Sequence, residues 1–256
     1  ILELTTYSAG GCGVFARVKQ ESELLAKRGH KVMIFSSNFE KGSNKIMSSE
    51  YKFGSVKIKR FPAKKLGGES YMEWNFEDEA IKFKPDVIIA HAYRHRHTSK
   101  ALKIGGKIGC KVILVTHAPF ARERNRKLIE NIAVWFYDNF IGRKELNKFD
   151  KIVAITRWEI PYLLKLGVEK GKIEYIPNGI NDGYLSEVKK KKDFKIVYTG
   201  RIAPIKNIEV VIRAIKLIKN KNIKFEIYGP AEKGYLEKLN SLINELKISK
   251  RIKIIM

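Results

Sequence analysis

Cysteine is scarce in this chain, with only Cys12 and Cys110 in 256 residues. Two cysteines make no disulfide framework, so we expect a reduced protein of the cytoplasm. No apolar run reaches the ~20 residues that a membrane-spanning helix needs. The chain also does not open with the basic and then apolar segments of a signal peptide.

Positive charge and apolar residues are abundant. Apolar residues make up 44% of the sequence, which predicts a packed core and excludes a disordered chain. Lysine and arginine total 51 against 27 acidic residues, a net charge of +24. Such a charge attracts nucleic acid, anionic lipid or phosphorylated substrates, and alone it does not choose between them.

The segment 196–200 has the pattern of a strand that ends at a ligand site. Residues 196–198 are Ile, Val and Tyr, a β-rich run typical of a parallel sheet. Gly200 permits a sharp turn at the carboxyl end of that strand. Open α/β sheets bind ligands at this end, so we expect a site here.

Two cations follow that turn. Arg201 offers a planar fork for phosphate oxygens and Lys206 a movable point charge, while Asn207 is placed to cap a helix over residues 208–219. The pattern favours a diphosphate site. The alternative is that both are ordinary surface cations.

The arrangement of Gly200, Arg201, four residues and Lys206 resembles the donor-phosphate motif of nucleotide-sugar glycosyltransferases with two facing domains, the GT-B fold. It is most similar to the large retaining family 4 (group 1), which includes sucrose-phosphate synthases and mannosyltransferases of lipid glycosylation. Residues 28–32 resemble the family's Arg-Gly-His-x-Val and residues 225–230 its Ile-x-Gly-x-Gly-Pro. Residues 177–181 resemble Pro-Asn-Gly-Val-Asp, with Asn181 in place of the usual aspartate.

The resemblance implies an α/β protein with two Rossmann-like domains. We expect an acceptor-side domain over residues 1–180, a linker over 181–193, and the start of the donor nucleotide domain over 194–256. The first residues read as the interior of one strand and the last as the interior of another. We therefore expect the sequence to be part of a longer protein, with its second domain incomplete, and we expect these 256 residues alone to fold without transferring sugar.

A glycine loop follows the first strand. Gly11, Cys12 and Gly13 match the dinucleotide pattern G-x-G-x-x-G/A, which supports an alternative function as an NAD-dependent oxidoreductase. That pattern requires an acidic residue after the second strand, where Ser36 and Ser37 stand instead. In the glycosyltransferase family a similar loop lines the cleft opposite the donor phosphates, so the resemblance places Gly11 and Gly13 in diphosphate binding.

Two predicted strands each end at a histidine, His91 and His117. The resemblance implies a catalytic role for His117, which would hydrogen-bond the transferred sugar and stabilise positive charge on it. The alternative is a packed histidine that caps the next helix. His91, Tyr93 and Arg94 are candidates for the acceptor site, or belong to a polar loop that begins the next helix.

The resemblance implies transfer of a hexosyl group with retention, and the leaving phosphate itself takes the acceptor proton. Arg201 and Lys206 would neutralise the diphosphate, without a metal or other cofactor. The chain has no Asp-x-Asp, the metal-binding motif of the other glycosyltransferase architecture. The histidines at 91, 95 and 97 lack a cysteine or carboxylate to complete a metal site.

Expected partners are a nucleotide-sugar donor and a sugar, lipid-linked or phosphorylated acceptor. An anionic membrane surface suits the charge and a peripheral location at the cytosolic face, whereas no motif for nucleic acid is visible. The basic and aromatic stretch 122–148 would lie on such a membrane, although aromatic residues at helical spacing more commonly form a core. The acidic cluster 77–79 is interpreted as the solvated face of a helix over residues 70–84.

Overall fold

The computed structural model describes residues 1–43, 45–68, 71–120, 128–180, 182–185, 195–232 and 234–256. The chain divides into two compact units, Ile1–Tyr184 and Leu185–Met256. Most of the predicted linker 181–193 lies outside the described residues. Within the part of the chain that is described, no helix has both the length and the apolar composition to cross a membrane.

The first unit is built on a largely parallel sheet. Its strands are β1 (Leu2–Leu4), β2 (Met33–Ser37), β3 (Glu50–Phe53), β4 (Val56–Phe61), β5 (Ala63–Lys65), β6 (Met72–Trp74), β7 (Val87–His91), β8 (Lys111–Val115), β9 (Lys151–Ala154) and β10 (Ile173–Tyr175). The eight-stranded sheet has the order β10-β9-β8-β7-β1-β2-β4-β3, and β5 pairs with β6 separately. Each neighbouring pair in the large sheet is parallel except β3 and β4.

Helices connect these strands. They are α1 (Gly13–Lys27), α2 (Glu77–Phe83), α3 (Arg96–Ile108), α4 (Leu128–Phe136), α5 (Arg143–Leu146) and α6 (Ile160–Lys165), with a π-helical turn (Tyr137–Gly142) joining α4 to α5. The central strands are apolar and buried, as expected for strands covered on both faces. An aromatic cluster fills one side of the core, where the rings of Trp74 and Phe76 lie 4.3 Å apart and Phe61 packs beside them.

The second unit has a three-stranded parallel sheet of order β11-β12-β13. The strands are β11 (Lys195–Thr199), β12 (Lys224–Tyr228) and β13 (Ile252–Ile255), and the helices are α7 (Ile208–Leu217) and α8 (Tyr235–Glu245). Isoleucine and leucine dominate its core. Buried Arg251 donates hydrogen bonds to the backbone carbonyls of Ile215, Ile218, Asn220 and Ile223, which the loop after α7 would otherwise leave unpaired.

Several local predictions were wrong. The helix expected over 70–84 is strand β6 followed by the shorter α2. The interpretation of Trp135, Phe136 and Phe140 as core residues is also wrong, because all are more than half exposed.

Candidate functional site

A cavity of about 310 Å³ opens at the carboxyl ends of β1, β7 and β8. Its walls come from the segments that follow those strands, from the start of α1 and from α4. The lining includes Thr5, Thr6, Cys12, Tyr93, Arg94, His95, Thr116, His117 and Val134. The cavity lies within the first unit.

Sheet topology explains this position. Strand β1 lies between β2 and β7 in the sheet. The chain leaves β1 to form β2 on one side, and later returns to form β7 on the other side. The connections diverge at this switch point and leave a crevice outside the strand ends, where open α/β sheets bind ligands. The fold therefore places the segments after β7 and β8 in the position expected for substrate contact.

The backbone at this edge adopts an uncommon conformation. Ala92, Arg94, His117 and Ala118 all have a positive φ, between 54° and 76°. Residues with a Cβ seldom adopt this left-handed region, and they do so mainly where surrounding contacts enforce it. The strain is concentrated beside the cavity, which is typical of functional sites.

A chain of hydrogen bonds joins His117 to the interior. Nε2 of His117 lies 2.9 Å from Nδ1 of His91, and Nε2 of His91 lies 2.6 Å from Oε2 of Glu3. Glu3 and His91 are fully buried on neighbouring strands β1 and β7. Glu3 was not singled out from the sequence, although an acidic residue inside an apolar strand was the available signal.

Burial dominates the electrostatics of this chain. It raises the pKa of Glu3 to about 8, against an opposing effect of Arg17, and lowers the pKa of His91 to about 4. Burial, with repulsion from His91 next, lowers the pKa of His117 to about 3. Both imidazoles are therefore neutral near pH 7.

Glu3, His91 and Glu21 bring potential ligand atoms within 4.8 Å of one another. Both ring nitrogens of His91 already take part in hydrogen bonds, one with Glu3 and one with His117. Glu21 is bound by Arg17 at 3.2 Å. His91 and Glu21 are thus engaged by protein partners, and a hydrogen-bonded cluster describes the group better than a ligand set. The expectation that no metal is required stays a prediction.

Two acceptor-site candidates meet an aspartate that the sequence did not indicate. The guanidinium of Arg94 contacts both carboxylate oxygens of Asp138 and donates to the carbonyl oxygen of Pro119 at 2.9 Å. The hydroxyl of Tyr93 donates to the same aspartate at 3.1 Å, and burial raises its pKa. Tyr93 and Arg94 line the cavity while holding the segment after β8 against the π-helical turn.

Glu159 fixes the loop that carries His117. Its carboxylate, fully buried, accepts hydrogen bonds from the hydroxyl of Thr116 and from the backbone N–H of Ala118 at 2.9 Å. Its other oxygen accepts the N–H and hydroxyl of Thr156 in a capping box. The sequence pattern that indicates this contact is Thr156 followed three residues later by a glutamate, which is typical of a capping box.

The glycine loop is adjacent to the same cavity. Gly13 is the first residue of α1. Among the described residues, apart from chain neighbours and the helix's own backbone, no atom lies within 4 Å of the position that a Cβ would take at Gly11 or Gly13. Gly10 is the glycine that the fold requires, because a Cβ there would lie 2.4 Å from the carbonyl oxygen of Lys41. Open space therefore surrounds Gly11 and Gly13, the two glycines predicted to bind diphosphate. At Gly10 the backbone is closely packed against that of Lys41.

In the second unit the predicted phosphate motif lies after β11. Gly229, which follows β12, approaches so closely that a Cβ would stand 2.0 Å from the carbonyl oxygen of Gly200. Arg201 is half-exposed and its guanidinium lies 3.3 Å from the carboxylate of Glu232. Lys206 ends a short 3-10 turn (Pro204–Lys206) and is exposed.

The predicted cap at Asn207 is wrong in its mechanism. Asn207 precedes α7 but has a left-handed backbone and makes no side-chain cap hydrogen bond. Instead the hydroxyl of Tyr235 accepts from the N–H of Ile208 at 3.2 Å and donates to Glu209. A side chain from α8 thus supplies the contact that the sequence assigned to a local residue.

An exposed apolar surface lies on α4 and the turn that follows it. No side chain of α4 is buried. The exposed apolar side chains are Leu128, Ile129, Ile132, Trp135, Phe136, Phe140 and Ile141, and we call them the aromatic strip. The ring of Phe140 lies 4.7 Å from that of Phe136 and 6.1 Å from that of Trp135, so the three aromatic members form one patch. The basic residues 122–127 before it lie outside the described residues.

Comparison with known proteins covers both units. A family model described as Glycosyltransferase Family 4 matches residues 12–184, and one described as Glycosyl transferases group 1 matches residues 185–256. No curated protein sequence matches the chain significantly.

Solved structures with a similar fold include Anabaena HepE in complex with UDP, at 13% identity and a TM-score of 0.69 over 100% of this chain and 69% of that one. A glycosyltransferase from Rickettsia africae has 14% identity and a TM-score of 0.66, over 99% of this chain and 66% of that one. A structure described as trehalose-6-phosphate from E. coli bound with UDP-2-fluoro glucose has 13% identity and a TM-score of 0.69, over 99% of this chain and 72% of that one. These likenesses confirm the predicted α/β fold of the GT-B type.

Proposed function

Because the chain belongs to glycosyltransferase family 4, we propose that the protein moves a hexosyl group from a nucleoside-diphosphate sugar to an acceptor hydroxyl with retention of configuration. The observation that carries this proposal is the cavity at the switch point of the first sheet, which His117 lines. Both matched families are glycosyltransferases, so the alternative of an NAD-dependent oxidoreductase on the Gly11–Gly13 loop gains no support from them.

Each group has a defined task in this proposal. In the second unit, Arg201 and Lys206 bind the diphosphate and neutralise the charge that grows on it as the sugar departs. For this Arg201 exchanges its exposed contact with Glu232 for phosphate oxygens. In the first unit, His117 hydrogen-bonds the transferred sugar, and the open backbone at Gly11 and Gly13 admits the donor. The leaving phosphate accepts the proton of the attacking hydroxyl, and no metal takes part.

A panel of nucleotide sugars, supplied to the intact gene product, tests this proposal. HepE and the E. coli structure are described with UDP or a UDP-sugar, so UDP-glucose is the first donor to try. Donor hydrolysis and transfer to simple sugar acceptors would be followed by mass spectrometry, and the anomeric configuration of the product by NMR. We expect UDP binding in calorimetry and an α-linked product from an α-linked donor. An inverted product would refute retention, and absence of binding to every nucleotide tested would refute the function.

The aromatic strip favours a location at an anionic membrane, with the acceptor presented at the cytosolic surface. Its exposed side chains include Trp135 and Phe136, which suit the headgroup region, and the net charge of +24 attracts anionic lipid. Val134 on the same helix lines the cavity. An acceptor held in a membrane below the strip would therefore be close to that cavity.

Liposome co-sedimentation distinguishes a protein that binds anionic membranes from one that does not. The protein should bind vesicles of phosphatidylglycerol and phosphatidylcholine more tightly than vesicles of phosphatidylcholine alone, and high salt should weaken binding. Serine at both Trp135 and Phe136 should reduce binding at least about tenfold, since each buried ring contributes more than 1 kcal/mol. Leu217→Ser, at an apolar residue of the second unit that is more exposed than either ring, serves as the control. Equal binding to both vesicle types would overturn the membrane proposal.

A further inference from the structure

In the Glu3–His91–His117 chain each imidazole forms a hydrogen bond with the next residue toward the interior of the protein. His91 uses both of its nitrogens, toward Glu3 at 2.6 Å and toward His117 at 2.9 Å. His117 uses Nε2 toward His91 and lines the cavity. A neutral imidazole has one N–H and one lone pair. The direction of the bond at one end of such a chain therefore fixes the direction of every following bond.

Two states of the chain satisfy this condition. When Glu3 is ionised, it accepts the Nε2 proton of His91, Nδ1 of His91 accepts the Nε2 proton of His117, and Nδ1 of His117 carries a lone pair. When Glu3 is protonated it donates to His91, whose Nδ1 proton is donated to His117, and Nδ1 of His117 carries a proton. The two states differ by one proton and require no movement of heavier atoms.

We propose that Glu3 is a positioning residue that acts through His91 and determines whether His117 presents a lone pair or an N–H to the sugar in the cavity. The proposal rests on the function proposed above for its meaning in catalysis. The proton balance is closed: a proton enters at Nδ1 of His117, the Nε2 proton of His117 passes to Nδ1 of His91, and the Nε2 proton of His91 passes to Glu3.

Burial makes both states accessible. It keeps both histidines neutral and raises the pKa of Glu3, so a single proton on the carboxyl group separates the states near neutral pH. Oε1 of Glu3 is buried and has no hydrogen-bond partner among the described residues, which a protonated carboxyl group tolerates better than an ionised one. The titratable groups around the chain are Arg17 and Glu21 on α1, the amino group of Ile1 just before β1, and His95 after β7.

The ionised state is the one that favours transfer. A sugar that loses its diphosphate gains positive charge at the anomeric carbon. A carboxylate at Glu3 and a lone pair on His117, which accepts a hydrogen bond from a sugar hydroxyl, both stabilise that charge. We therefore expect kcat to rise with pH through the ionisation of Glu3, and Glu3→Gln, which cannot ionise, to show a flat profile.

NMR of histidine labelled with ¹⁵N observes the tautomer directly. Long-range ¹H–¹⁵N correlations of the wild-type protein should show His117 changing from the Nδ1–H form at pH 6.5 to the Nε2–H form at pH 9.5. Exposed His30 provides the reference for an isolated imidazole in the same samples. Glu3→Gln should abolish the change in His117, whereas Glu21→Gln, which removes the neighbouring acid that does not bond to His91, should retain it.

The outcomes separate the two proposals. A fixed tautomer of His117 across this pH range in the wild-type protein would overturn the relay, and so would loss of the change in Glu21→Gln. That first measurement requires no variant, so a poorly folding Glu3→Gln would not leave the relay without a test. A tautomer change without sugar transfer from any donor would support the relay and refute the proposed function. Sugar transfer with a fixed tautomer of His117 would support the proposed function and refute the relay.

Discussion

The carboxylate of Glu159 accepts a 2.9 Å hydrogen bond from the backbone N–H of Ala118. This bond joins the segment after β9 to the residue that follows His117. Ala118 and His117 both have left-handed backbones, and such a conformation persists only where its surroundings enforce it. Glu159 supplies part of that enforcement and so acts on His117 without contacting it.

Glu159→Gln should therefore weaken both stability and transfer. The amide group of glutamine presents its own N–H groups toward some of the donors now bound by the carboxylate, and leaves them unpaired in the interior. We expect the free energy of unfolding to fall by about 3 kcal/mol, with a lower kcat and unchanged UDP affinity. Urea unfolding and steady-state kinetics measure these effects. Exposed Glu169→Gln is the matched control, and equal behaviour of the two variants would contradict the assigned role.

His117→Ala should retain nucleotide binding and lose transfer. Removing a positioned hydrogen-bonding group next to developing charge costs roughly 10²-fold in rate. Two quantities are measured in the wild-type protein and in the variant: kcat for sugar transfer, and the Kd for UDP by calorimetry. His30→Ala, which removes an exposed histidine from the turn after α1, should change neither. Transfer near the wild-type rate in His117→Ala would make this histidine structural and His91 the next candidate.

Arg201→Ala should weaken UDP binding by at least about tenfold, because a charge-assisted contact to phosphate contributes about 1.5–3 kcal/mol. Its present partner Glu232 is half-exposed, so losing that pair costs little stability. Arg213→Ala provides the control, since Arg213 is an exposed arginine on α7 of the same unit. Unchanged affinity in calorimetry would remove Arg201 from the donor site.

Stability should decrease in mild acid because of buried His97. Its Nε2 lies 2.8 Å from the carbonyl oxygen of His91, and burial lowers its pKa to about 3. The unfolded chain takes up a proton near pH 6.5 while the folded protein does not, so stability is lost as pH falls below that value. His97→Gln should reduce the loss between pH 7 and pH 5 by about 2 kcal/mol.

Urea unfolding at pH 7 and pH 5 measures the effect of His97→Gln. His30→Gln, at an exposed histidine, should leave the wild-type pH dependence unchanged. If both variants keep the wild-type slope, His97 takes up its proton equally in the folded and unfolded states, and its lowered pKa is refuted.

Elements with a strong local signal were predictable from the sequence. The apolar run before His117 is β8 and the run before His91 is β7, with both histidines where parallel strands end. Such runs specify buried strands because few other structures bury every side chain in succession. The family motifs added the order of the units, and the structural likenesses confirm the fold.

Contacts between distant segments were not predictable. Asp138 binds Arg94 across 44 residues, and Glu159 binds Ala118 across 41. The hydroxyl of Tyr235 takes the place assigned to Asn207 at the start of α7. The aromatic strip was misjudged because helical spacing shows that side chains share a face, but does not show what covers that face. These features depend on tertiary packing, for which a single sequence contains no local signal.

The left-handed backbone at Ala92 and Ala118 has a consequence for engineering. Glycine at either position would remove the steric conflict of the methyl group and raise thermal resistance if nothing else changed. It would also widen the conformations open to the two loops that flank His117. Selection for thermal stability is therefore expected to enrich these substitutions. The selected variants should unfold at a higher temperature and have a lower kcat.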